Sequence, residues 1–345
     1  MSFYREYGNL IDSYDSLRSG SNIDLGSILY KDSPILPDEY AYLLSDHCTN
    51  SLEDIAHKAH TLTVQNFGKV IQLYTPLYLS NYCINRCLYC NFNASKKIPR
   101  TKLSSYEIEQ EAQMISEQGF RHILILTGED RENSPLSYIK DATQILKKYF
   151  NSISIEIYPL EEDEYRQLID DGIDGLTLYQ EAYNKGIYDS VHQYGPKRDY
   201  IFRLNAPERA AKAGMRTINI GPLLGLNDFR YESFAAGLHA KYLQDKYTSS
   251  EISVSFPRLR PYGGVEYPAA TVTDKNLVQI VTALRIFLPR VGITLSTRED
   301  SVLRDNLIPL GITRMSAGSS TRVGGRIKEE DAFINEGQFD ISDTR

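Results

Sequence analysis

The chain has 345 residues, a length that suits either two domains or one α/β barrel of roughly 250 residues with extensions. It is 41% hydrophobic and 24% charged, a globular balance that excludes a disordered or fibrous chain. A formal charge of −7 argues against a nucleic-acid binder or polybasic membrane anchor, and with no signal-like start or long apolar run the expected compartment is the cytoplasm.

Residues 1–69 carry no strand signal and predict a mostly helical N-terminal cap. Within them Ser51 followed by Asp54 resembles a capping box, and Leu52, Ile55, Ala59 and Leu62 recur at helical spacing. From Val70 a strand–helix rhythm sets in. Its β-prone runs are Val70–Leu79, His122–Thr127, Ser152–Ile157, Gly175–Leu178, Thr217–Ile220, Ile252–Ser255, Ile293–Ser296 and Ile312–Met315. Between them, Ser104 with Glu107 three residues on opens a helix that sets Ile108, Ala112 and Ile115 on one face. Thr273 opens another, striped by Leu277, Ile280, Val281, Leu284 and Phe287. Gly119 and Gly172 mark helix ends. Eight alternating units over residues 70–317 predict an α/β fold, a closed parallel (β/α)8 barrel of TIM type. An open, partial barrel is the alternative. From 318 to 345 the apolar periodicity gives way to Gly, Ser and charge, which predicts a loosely attached C-terminal extension.

Active sites of such barrels lie at the C-terminal ends of the strands. There the sequence places cysteines after the first strand, Thr127-Gly128-Glu129 after the second, Glu156 at the third and Tyr179-Gln180-Glu181 after the fourth. Gly221, Phe256-Pro257-Arg258, Thr297-Arg298-Glu299 and Ser316 follow in turn. Of four cysteines, Cys83, Cys87 and Cys90 crowd into eight residues with the spacing C-x3-C-x2-C. Thiolates favour soft metals and iron–sulfur clusters, and a closed zinc site wants a fourth ligand. No His follows at finger-like spacing, and Cys48, 35 residues upstream, reads as a buried bystander. Three thiolates in one loop suit three irons of a cubane, with one iron open to an outside ligand. A zinc site or adventitious cysteines are the alternatives.

With Tyr89 before the last cysteine, this loop resembles the signature of radical S-adenosylmethionine enzymes. Tyr78 to Cys83, Tyr179 to Tyr183, Ser253 to Pro261 and Leu295 to Glu299 resemble, in the right order, the aromatic amino-acid lyase branch of that family. The likeness runs from about Thr75 to Arg345. One departure is Asn91, where the family usually has Gly; Asn tolerates left-handed backbone.

The resemblance implies a 4Fe–4S cluster on Cys83, Cys87 and Cys90, with S-adenosyl-L-methionine on the open iron. It implies cofactor contacts from Tyr89, from Gly128 and Glu129 to the methionyl amino group, from Glu156 near the ribose, from Glu181, and from Arg203 to the carboxylate. Backbone at Gly221–Gly225, Leu224 included, is expected at the adenine. For an amino-acid substrate, Arg298 suits the carboxylate because its fork binds bidentately; Ser316 is a second donor and Tyr78 lines the pocket. Arg258 and Arg260 are left undivided between rim ion pairs and pocket.

The reaction implied is cleavage of the Cα–Cβ bond of L-tyrosine to p-cresol and 2-iminoacetate (dehydroglycine) for the thiazole of thiamine. Its implied partners are a thiazole synthase complex and a flavodoxin- or ferredoxin-like reductant. Three alternatives stand beside it. One is the tyrosine lyase of hydrogenase maturation, whose extra C-terminal cysteines have no counterpart after Cys90. The others are a tryptophan lyase and a non-catalytic iron–sulfur or zinc scaffold.

Overall fold

The structure is a computed structural model that describes residues 2–19, 23–261, 270–327 and 337–341. Among them are eight strands: β1 (Gln72–Ser80), β2 (His122–Thr127), β3 (Ser152–Glu156), β4 (Gly175–Glu181), β5 (Thr217–Pro222), β6 (Glu251–Ser255), β7 (Gly292–Leu295) and β8 (Arg314–Ser316). Each pairs in parallel with the next, and β8 returns to β1 through Gln72 opposite Arg314, so the sheet closes. The apolar runs explain the closure. Ile123, Ile125, Ile153 and Ile155 are fully buried, as strands with a packed interior on one face and helices on the other require.

The strand boundaries shift at both ends for physical reasons. β1 begins at Gln72, not Val70, because β8 offers it no partner before Arg314; Val70 stays 74% exposed. β8 likewise starts two residues later than expected. At the other rim β4 and β5 run on to Glu181 and Pro222, and pairing slips between Tyr78 and Ser80 and between Tyr179 and Glu181. Such bulges re-aim side chains next to active sites.

Two expected caps form: Ser104 and Glu107 bond each other's backbone N–H at 3.3 and 2.8 Å, and Thr273 does the same with Asn276. The box at Ser51 does not. The helix Leu52–Phe67 is present, but Ser51 ends a 3₁₀ turn over Asp46–Ser51, and its side chain makes no cap bond.

The N-terminal helices pack against the barrel's outer wall, on the helices Phe229–Lys246 and Asp274–Phe287 that follow β5 and β6. Phe3 stacks on His239 at 4.3 Å, and Tyr40 stacks on Phe287 at 4.3 Å while its hydroxyl donates to the Ser233 carbonyl at 3.0 Å. Gly237 makes room for this, since a Cβ there would stand 2.4 Å from the Tyr40 ring. Tyr40 is fully buried and has no space to yield. The Gly237→Ala variant is therefore expected to lose about 1–3 kcal/mol of stability in chemical denaturation; an unchanged midpoint would show that the N-terminal helices dock loosely.

Candidate active site

The segment after β1 folds back on itself. Asn81 accepts from the Thr101 N–H at 2.6 Å and donates to the Pro99 carbonyl, and Arg100 donates to the carbonyls of Asn81, Phe92 and Asn93. This closes a loop that holds Cys83, Cys87 and Cys90. The residues after β2 buttress it. A Cβ on Gly128 would stand 2.2 Å from the Tyr82 carbonyl oxygen, the Glu129 carbonyl accepts from Ile84 N–H at 3.0 Å, and its carboxylate accepts from Asn85 at 2.7 Å.

Burial pushes the Cys87 thiol up to about 12, and Cys90 is raised by burial and by the charge of Cys83. The loop is thus a set of thiols whose protons leave when a cationic centre binds. The donor set fits a cubane better than a closed zinc site. His192, which bridges backbone to Cys87, has both ring nitrogens committed, to Tyr89 Oη at 2.8 Å and the Tyr188 carbonyl at 2.7 Å. Among the described residues no three His, Cys, Asp or Glu side chains converge on a single ion, and each cysteine of a cubane takes its own iron. Cys48 lies buried in the turn Asp46–Ser51, its thiol raised to about 12 by burial alone.

Facing the loop is a buried ion-pair network. The β4 bulge leaves Glu181 at φ 70°, the one non-glycine among the described residues with positive φ, a conformation that costs on the order of 1–3 kcal/mol. Its carboxylate sits 2.6 Å from Lys197 Nζ and 3.7 Å from Arg203. Burial works against all three charges. Lys197 and Arg203 nonetheless hold Glu181 below the usual carboxylate range, and Glu181 helps hold both cations above theirs. Arg203 also donates to the Tyr179 carbonyl at 2.8 Å, and the Lys197 N–H to Asn85 Oδ1 at 3.0 Å.

Two adjoining cavities open at this rim. One is lined by Tyr89, Cys90, Glu181, Leu223 and Arg260 among others; the second reaches into the barrel past Tyr74, Tyr78, Leu124 and Ser316. Glu156, Tyr179, Arg298, Gln338 and Phe339 line both. Among the described residues Arg298 has no carboxylate partner; its guanidinium makes one hydrogen bond, 3.4 Å to the Arg258 carbonyl. Ser316 accepts from Thr297 N–H at 3.0 Å, which leaves its O–H to donate. Burial and the neighbouring Glu181 push Glu156 up to about 7, against the pull of Arg298.

The expected residues are therefore divided. Tyr89, Cys90, Glu156 and Glu181 share the first cavity; Tyr78, Glu156, Arg298 and Ser316 share the second. Gly128 and Glu129 line neither, since they face the cysteine loop. Arg203 stands behind Glu181. Leu224 does not offer its backbone: its N–H donates to Pro257 and its carbonyl accepts from Leu259, both at 2.8 Å, and Leu223 takes its place in the cavity. Arg258 is bound to Glu299 and to Asp274, and Arg260 both pairs with the same Glu299 at 3.0 Å and lines the first cavity. The described residues of the C-terminal extension are packed, not loose: Val323 is fully buried, and Arg326 donates from its backbone to Glu111 at 2.8 Å, while residues 328–336 and 342–345 lie outside the described residues. Sequence reasoning missed Lys197, Gln338 and Phe339, which lie in segments without periodicity or motif; Tyr179 was visible as the residue two before Glu181.

Residues 77–236 match the Radical SAM superfamily and residues 255–345 the Biotin and Thiamin Synthesis associated domain. The chain is similar to 2-iminoacetate synthase of Escherichia coli (strain K12), 41% identical over 295 residues that cover 85% of this chain and 78% of the relative. The chain belongs to the radical S-adenosylmethionine family of 2-iminoacetate synthase. Solved structures of the FeFe-hydrogenase maturase HydG superpose with TM-scores of 0.91 and 0.88. The first is 31% identical and covers 98% of this chain and 76% of that one; the second, from Carboxydothermus hydrogenoformans, is 34% identical and covers 98% and 80%. The protein is accordingly a carbon–carbon lyase that uses a 4Fe–4S cluster and S-adenosylmethionine.

Glu156 supplies a prediction that needs no cofactor. Its folded value of about 7 lies above the ordinary carboxylate value, so the unfolded chain gives up this proton first as pH rises. Stability from this group is full below about pH 4.5 and is lost as pH climbs through 7. The Glu156→Gln variant is expected to gain on the wild type across that window and to run parallel above it in denaturant titrations; parallel curves throughout would contradict the assignment.

Proposed function

We propose that the protein cleaves the Cα–Cβ bond of L-tyrosine to give p-cresol and 2-iminoacetate. The observation that carries this reading is Arg298, a cation without a carboxylate partner among the described residues, in the wall between a cavity lined by Cys90 and a cavity lined by aromatic side chains. Its similarity to 2-iminoacetate synthase supports the same substrate. When bound on Cys83, Cys87 and Cys90, the cluster and S-adenosylmethionine supply the electron and the 5′-deoxyadenosyl radical.

The chain's own residues bind, orient and exclude water. Arg298 takes the tyrosine carboxylate through its fork, with the Ser316 hydroxyl as second donor, which directs the amino group toward the first cavity. Tyr78, Tyr74 and Leu124 surround the phenol ring. Glu181, Glu156 and Tyr89 face the polar part of the cofactor, Arg203 sets Glu181, and Gly128 and Glu129 hold the cysteine loop in register. Loss of hydrogen from the amino nitrogen and scission of Cα–Cβ leave 2-iminoacetate and a hydroxybenzyl fragment, which one more electron and proton convert to p-cresol.

The compartment consistent with four free cysteines is the cytoplasm. The electrons come from a flavodoxin- or ferredoxin-like donor. No Asp or Glu lies between Cys83 and Lys102 in a chain of net charge −7, and Arg86, Lys97 and Lys102 are exposed there, which favours an acidic donor. The product would pass to a thiazole synthase complex.

Anaerobically reconstituted enzyme with reductant, S-adenosylmethionine and L-tyrosine is expected to yield p-cresol together with 5′-deoxyadenosine, and none with L-tryptophan. Deoxyadenosine without p-cresol would contradict the reaction. For Arg298→Lys, loss of bidentate carboxylate binding is expected to raise KM for tyrosine about 10- to 100-fold; an unchanged KM would place the carboxylate elsewhere.

A further inference from the structure

We propose that residues 337–341 form a strap across the barrel mouth that positions the Arg298 fork, with Phe339 as the positioning residue and Asn91 as the latch. The inference rests on the reading of Arg298 as the carboxylate-binding group. The strap is tied at successive residues. Asn91 Nδ2 donates to the Gly337 carbonyl at 2.8 Å. The Gln338 N–H donates to the Thr321 carbonyl at 3.1 Å, Thr321 Oγ1 donates back to the Phe339 carbonyl at 2.9 Å, and the Asp340 N–H donates to Pro261 at 3.1 Å.

Held this way, the two side chains reach both cavities. Tyr78 Oη donates to Gln338 Oε1 at 2.7 Å, and the Phe339 ring lies 3.5 Å from the Arg298 guanidinium carbon. A guanidinium binds carboxylate through its edge and an aromatic ring through its face. Phe339 therefore covers the face, keeps water off it and leaves the edge for substrate. Among the described residues the guanidinium's other contact, to the Arg258 carbonyl, is long, at 3.4 Å, and no carboxylate pairs with Arg298. A glycine at position 91 would have no side chain to hold the Gly337 carbonyl.

The test uses reconstituted enzyme without reductant, so that L-tyrosine binds but does not turn over. Phe339→Ala is expected to weaken tyrosine binding about ten-fold, with iron content unchanged. Phe339→Tyr is expected to restore wild-type affinity. The double variant Phe339→Ala with Arg298→Lys is expected to bind no more weakly than Arg298→Lys alone, because the ring acts through the guanidinium. Unchanged affinity in Phe339→Ala, or losses that add in the double variant, would overturn the positioning role. Hydrogen exchange provides a readout independent of substrate. Amides of Gln338 and Asp340 are expected to exchange faster in Asn91→Gly than in wild type; equal rates would overturn the strap. A wild-type enzyme that binds no tyrosine but shows the exchange difference would overturn the substrate reading and leave the strap standing.

Discussion

The Glu181 carboxylate, held between Lys197 and Arg203 on a left-handed backbone, is the interaction on which the rest of the barrel mouth depends. A carboxylate taken out of water is tolerated only with well-placed cations, and removing one partner of such a pair typically costs about 3–5 kcal/mol. Here the cations also carry the architecture. The Lys197 backbone is held by Asn85, Asn85 holds Glu129, and the Glu129 carbonyl receives the Ile84 N–H. The end of β4, the cysteine loop and the end of β2 are thus tied through one chain of hydrogen bonds. Arg203 adds the helix Tyr200–Leu204 by donating to Tyr179.

The charge balance of this rim explains what it accepts. Lys197, Arg203 and Arg298 stand against Glu181 and a Glu156 that burial lifts to about 7, while Arg260 is paired with Glu299. The mouth of an acidic protein is therefore locally short of negative charge. Both molecules proposed to occupy it carry an α-carboxylate, and preoriented cations in a site shielded from water favour such groups without reorganisation. The stabilising work is done elsewhere. Stacked rings of the N-terminal helices and the buried strand interior hold the barrel, which leaves the rim to strained and polar arrangements.

Much of this was legible before any coordinates. Isoleucine-rich runs, capping pairs at Ser104 and Thr273 and glycines at helix ends report local chemistry directly, and three cysteines in eight residues report a metal loop. Arg298 and Ser316 were expected from strand-end position together with the chemistry of a guanidinium and a hydroxyl, and Tyr78 from the family resemblance. What was hidden depends on register and on long-range contacts. A shift of one residue exchanges Leu224 for Leu223 in the cavity, as alternation along an extended chain dictates. The capping pattern at Ser51 was overridden by the 3₁₀ turn that precedes it. Gly128 and Glu129, expected at the methionyl amino group, turn toward the cysteine loop, where the Tyr82 carbonyl leaves Gly128 no room for a side chain. Lys197, Gln338 and Phe339 sit in segments with no period, and only the folded chain brings them to the rim.

The central claim is that Cys83, Cys87 and Cys90 each hold one iron and leave a fourth open to an outside ligand at the mouth of the first cavity. Electron paramagnetic resonance of the reconstituted, reduced protein with and without S-adenosylmethionine tests it most directly. The signal is predicted to shift when S-adenosylmethionine is added, in the wild type and equally in Cys48→Ala, and to be lost in Cys83→Ala, Cys87→Ala and Cys90→Ala. A spectrum indifferent to S-adenosylmethionine, or one that requires Cys48, would contradict the account.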